Sequence, residues 1–108
     1  MMTLERTATE IGLGPVQQIP PGEGRVFKIG DKEVAVFLSR NGNVYATQPL
    51  CPHKSGPLVD GLMGGSTLVC PLHAWKFDLS TGEPLMGNCS IKTYKVRLNE
   101  HGDILLTL

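Results

Sequence analysis

Two short stretches pair a cysteine with a histidine: CPHK at residues 51–54 and CPLH at residues 70–73, with sixteen residues between His53 and Cys70. Thiolate and neutral imidazole are ligands that iron and zinc accept, so Cys51, His53, Cys70 and His73 together point to a metal site. Zinc modules typically leave about two to four residues between paired ligands, and Cys51-Pro52-His53 leaves one. Ligands so spaced on an extended loop point different ways, which suits two irons sharing bridging sulfides better than one tetrahedral ion. C-x-H, then C-x-x-H, fits a 2Fe-2S cluster with two cysteines on one iron and two histidines on the other. A single Cys-x-His is more often a buried thiol beside a surface histidine. Two such pairs in register reverse that weighting and leave a zinc-stabilised interaction module as the lesser alternative.

The elements that must hold these loops read as β-structure. GRVFKIG (24–30) and EVAVFLSR (33–40) alternate with period two around the turn dipeptide Gly30-Asp31. Asn41-Gly42 joins the second of them to NVYATQ (43–48), making a three-stranded meander. KTYKVRLN (92–99) and DILLTL (103–108) flank His101-Gly102 as a closing hairpin, and QQIPPGEG (17–24) holds a turn. The stretch from Pro49 to Gly65 lacks sustained alternation and is too long for an idle loop. Each Cys/His pair follows a strand: Cys51 comes after NVYATQPL, and Cys70 ends STLVC before AWKFD begins.

Composition bounds the rest. A chain of 108 residues, 41% hydrophobic and 19% charged, is expected to fold as one globular domain over 1–108 and not to be disordered. Ten basic against ten acidic residues give a net charge of zero, which argues against nucleic acid or an anionic membrane as partner. The N-terminal MMTLERTATEIGLG has no apolar run fit for a secretory signal, and no stretch is long enough to span a bilayer. A cytoplasmic location with reduced thiols is therefore expected. Cys89 is expected to be a small core residue, and His101 to be solvated in its turn. Trp75 and Phe77 alternate with Lys76 as core-facing strand positions that also shield the metal.

With its flanks included, the pattern resembles the Rieske iron-sulfur family. The similarity rests on C-P-H-K, C-P-L-H, G-P-L at 56–58, W-K-F at 75–77 and S-T-G-E at 80–83, and it runs from about Gly22 to the end. The resemblance implies an all-β fold: a Rieske-type antiparallel β-sandwich with a small cluster-binding subdomain formed by two loops, approximately 49–78. It implies one 2Fe-2S cluster with Cys51 and Cys70 on the inner iron and His53 and His73 on the outer. Leu50, Pro52, Pro71 and Leu72 are candidates for an apolar cover over the cysteines, and Lys54 and Lys76 for a docking face around the outer iron.

Function follows partly from what the resemblance leaves out. Rieske oxygenases add a mononuclear iron held by two histidines and a carboxylate, and only His101 remains once His53 and His73 are used. No catalytic residue is assigned, and one-electron transfer between proteins is the expected role. Respiratory Rieske proteins carry an inter-loop disulfide where this chain has Gly56 and Leu72, and hydroxyl donors where it has Trp75 and Phe77. Their absence implies a potential at the low end of the range, on the order of −150 to −50 mV. The wording CPHKSGPL, CPLHAWKFDLSTGE and NCSIKTY is similar to the small subunit of assimilatory NAD(P)H-dependent nitrite reductase, with the ferredoxin of a ring-hydroxylating dioxygenase system as the alternative. The implied partners are a flavin-containing reductase and a nitrite reductase large subunit or an oxygenase.

Overall fold

The computed structural model describes residues 10–52, 56–70, 75–87 and 89–108. Hydrophobic alternation builds the meander as expected: β2 (Glu23–Ile29), β3 (Lys32–Leu38) and β4 (Val44–Thr47) pair antiparallel in sequence order, after β1 (Glu10–Pro15). Ile29 faces Lys32 across the two-residue turn Gly30-Asp31, where Gly30 takes φ 61°. The next turn is one residue longer than the Asn41-Gly42 pair indicates. Ser39 N–H donates to the Asn43 carbonyl (2.8 Å), so the loop is Arg40-Asn41-Gly42 with Gly42 left-handed at φ 92°. That is the three-residue hairpin, in which a type I turn is finished by a residue at positive φ.

The same construction recurs between β9 (Thr93–Leu98) and β10 (Asp103–Thr107). Asn99 N–H donates to the Asp103 carbonyl (3.0 Å), and the Asn99 side-chain oxygen accepts from the N–H groups of His101 and Asp103. His101 is exposed there, as expected of a turn residue. β1 pairs with β10 through an irregularity between Gly12 and Gly14. The two glycines hide it from a hydrophobic pattern. The large sheet therefore runs β1-β10-β9-β4-β3-β2.

A second sheet, β5-β6-β7-β8, is made of β5 (Leu62–Gly64), β6 (Thr67–Val69), β7 (Lys76–Asp78) and β8 (Pro84–Met86). The architecture is the expected antiparallel β-sandwich: the first loop runs from β4 of the large sheet towards β5 of the small one, and the second joins β6 to β7 within the small sheet. Strands of three residues give too few ladder bonds to stand alone, so their stability must come from burial.

β3 supplies that burial on both sides. Val34, Val36 and Leu38 enter one core with Ile19, Ala46, Ile104 and Leu106, while Ala35 and Phe37 enter a second with Cys51, Leu58, Leu68, Cys70, Phe77, Leu79 and Ile91. A strand covered on both faces reads as the unbroken apolar run VAVFL. Among the described residues no helix is long and apolar enough to cross a membrane.

Candidate metal centre

Both cysteines occupy the same structural position. β4 continues through Pro49 and Leu50 to Cys51, whose N–H donates to the Gly56 carbonyl (2.8 Å). Leu50 bridges Pro57, and Leu58 N–H donates to the Pro49 carbonyl (2.9 Å), pinching the loop at its root. β6 leads likewise to Cys70, whose N–H donates to the Trp75 carbonyl (2.7 Å). In each loop, therefore, the cysteine amide reaches the carbonyl five residues on and closes a four-residue tip, 52–55 or 71–74. His53 and His73 belong to those tips and lie outside the described residues, as do Lys54, Pro71 and Leu72.

The structure brings Cys51 and Cys70 into one buried cluster, at 1% and 2% exposure. A thiolate in such surroundings is costly unless a cation compensates it, and a metal does this while deprotonating the thiol. Two sulfur donors at the roots of two tips that each carry a histidine thus fit the donor set of a Rieske-type cluster. Among the described residues no group of three or more His, Cys, Asp or Glu is assembled elsewhere that could hold a metal ion.

Several neighbours differ from expectation. Leu50 is 46% exposed and Pro52 is also exposed, so neither covers the thiols. Alternation explains it: Cys51 points inward, which turns its flanking residues out. The cover comes instead from Leu58, Leu68 and Phe77, each fully buried. Cys89 is exposed and not a core residue. It falls between β8 and β9, and the side chain that enters the core there is Ile91, whose N–H donates to the Gly82 carbonyl (2.8 Å). Phe77 and Trp75 do face the core, Trp75 only half-buried, with Lys76 exposed between them.

Gln48 was not singled out by its sequence context and proves to anchor the first loop. Its amide N–H donates to the Lys92 carbonyl (2.9 Å), its side-chain oxygen accepts from Lys92 N–H (2.7 Å), and its side-chain nitrogen donates to the Leu50 carbonyl (2.7 Å). No local signal could show this, because Lys92 lies 44 residues away. The S-T-G-E turn joins β7 to β8 at the end away from the second loop. The Ser80 hydroxyl (2.6 Å) and Ser80 N–H (2.9 Å) both donate to the Asp78 carboxylate and hold it below its ordinary range.

Comparison with known proteins agrees with this geometry. Residues 9–95 match the Rieske 2Fe-2S domain. The ferredoxin component of naphthalene 1,2-dioxygenase/salicylate 5-hydroxylase systems from Ralstonia sp is 36% identical over 85 residues, covering 77% of this chain and 81% of that protein. Among solved structures, the ferredoxin of carbazole 1,9a-dioxygenase from Nocardioides aromaticivorans superposes with a TM-score of 0.79 at 29% identity, over 91% of this chain and 96% of that one. A Mycobacterium tuberculosis protein assigned as the small subunit of an NADH-dependent nitrite reductase superposes at 0.85 with 21% identity, over 95% and 97%. With the two thiols buried at matching loop roots and the domain match spanning both loops, the chain belongs to the Rieske 2Fe-2S family.

Proposed function

We propose that this protein is the ferredoxin of an oxygenase system, accepting one electron from a flavin-containing reductase and passing it to the oxygenase. The observation that carries this reading is the 36% identity to a ferredoxin component, extending over most of both chains. One-electron transfer through a Rieske-type 2Fe-2S cluster is the activity common to such carriers, which transform no substrate themselves. In the proposed site Cys51 and Cys70 hold the inner iron and His53 and His73 the outer. The cluster supplies a redox centre of one electron. The chain's own residues set its surroundings: Leu58, Leu68 and Phe77 keep water from the thiolates, and the bonds from Cys51 to Gly56 and Cys70 to Trp75 fix the two sulfurs at the tip roots.

A second reading, the small subunit of an assimilatory NAD(P)H-dependent nitrite reductase, is favoured by the wording of the loop flanks. Its structural counterpart at 21% identity speaks for the fold alone. Mixing the reduced protein with the oxygenase component of a naphthalene 1,2-dioxygenase system, and separately with a nitrite reductase large subunit, distinguishes the two. Rapid reoxidation by the oxygenase is expected. Reoxidation by the reductase subunit alone would overturn the proposal in favour of the second reading.

A further inference from the structure

An antiparallel sheet with one face on a core ordinarily presents polar residues on the other. The small sheet departs from this in one row. Leu62, Val69, Lys76 and Met86 are successive cross-strand partners, so their side chains share a face. In the adjoining row Leu68 and Phe77 are fully buried, which directs the first row away from the core. Leu62 is 77% exposed and Met86 52%. Leu85, the extra residue at the irregularity between β7 and β8, adds a further 57%-exposed apolar side chain. Three strand spacings make the row about 14 Å wide. Val69 precedes Cys70 and Lys76 follows Trp75, so the row crosses the root of the second loop.

We propose that this row is a docking surface for the protein with which electrons are exchanged, and that the matching surface is apolar with one carboxylate opposite Lys76. The inference rests on the electron-transfer reading above. Position and charge select this occupant. The row is continuous with the root of a loop that carries two of the proposed ligands, so a partner seated on it lies beside that loop. A membrane surface would call for a group of cations, and the row has one. A second copy of the chain seated there would compete with the partner for the same loop. Exposed apolar surface of this kind marks an interaction site. Because burial and not charge then dominates the contact, association should vary weakly with salt.

The test uses the whole chain loaded with its cluster, with the oxygenase component and the nitrite reductase large subunit as probes. Calorimetric affinity and the second-order rate of electron transfer are both measured. A Leu62→Gln/Met86→Gln double variant should bind the acceptor that the wild type reduces roughly tenfold more weakly, with unchanged visible spectrum and midpoint potential. Lys76→Gln should weaken binding less and remove the remaining salt dependence. Val26→Gln, at an exposed apolar position on β2, should change nothing. A double variant that binds and reacts like the wild type would overturn the inference, as would a wild-type dimer that the double variant dissolves. A wild type that reduces neither acceptor would instead overturn the electron-transfer reading with these partners, and the docking surface with it.

Discussion

The two cores divided by β3 are built on different terms. On one side Val34, Val36 and Leu38 meet Ile19, Ala46, Ile104 and Leu106, all apolar and drawn largely from strands of four to seven residues. On the other, Ala35 and Phe37 meet side chains from loops, a 3₁₀ turn and strands of three residues, with two thiols among them. The first core has ladders and burial together. The second has burial and, in the proposed site, the ligation of its sulfurs. The large sheet should therefore be a scaffold that folds without metal, and the small sheet a region whose order is linked to the cluster.

The hardest test of that division is to remove a proposed ligand. His73→Ala should abolish the visible spectrum, whereas His101→Ala should preserve it. Hydrogen exchange should then show faster exchange in β5–β8 with β2–β4 and β9–β10 still protected. Uniform loosening of both sheets would erase the distinction between the cores.

Next in size are cavities. Ile104→Ala, on the scaffold side, should cost about 2–5 kcal/mol of global stability in denaturant unfolding. Leu68→Ala removes a similar volume from the other core, and its main effect should be local opening around the loops, seen by exchange before global unfolding. Gly82→Ala probes the turn between β7 and β8, where Ile91 enters the second core. Gly82 is buried at φ 82°, and a Cβ there would collide with the Ile91 carbonyl. Backbone strain of this kind costs of order 1–3 kcal/mol, before the collision is counted.

Electronic effects are finer. Phe77 lies in the same buried cluster as both thiols and offers no hydrogen-bond donor, so voltammetry should give a midpoint on the order of −150 to −50 mV. Phe77→Tyr should raise it, because a hydroxyl reaching a cysteine sulfur stabilises the more negative reduced cluster. A midpoint above about +150 mV would contradict the low-potential assignment. The smallest effect concerns the edge of the scaffold. The Arg97 guanidinium bonds both carboxylate oxygens of Glu10 (2.8 and 3.0 Å) and lowers its pKa from an ordinary 4.5. With the folded value depressed, the contribution is present above the unfolded value and is lost as pH falls through the folded one. The pair is exposed, so Glu10→Gln should shift the denaturation midpoint only slightly, and less at high salt.

Much of this molecule is legible one segment at a time. Positive-φ glycines 30, 42 and 102 sit in the turns of three hairpins, and each is flanked by alternation that names its strands. Residue type and spacing at Cys51, His53, Cys70 and His73 are enough to propose a metal site and to suggest the family that the domain match shows. Those signals work because turn geometry and ligand reach are set within a few residues of backbone. What tertiary structure alone decided is which face each side chain meets. β3 serves two cores because other strands of its own sheet and Ile19 cover one face and the small sheet, with the two loop roots, covers the other, and Gln48 anchors the first loop because the chain leading into β9 returns to it. Leu50 is turned outward while Cys51 is buried, and Cys89 is left outside because Ile91 takes the inward place. Each of these outcomes depends on pairing between residues distant in sequence, and hydrophobicity alone does not encode which partner arrives.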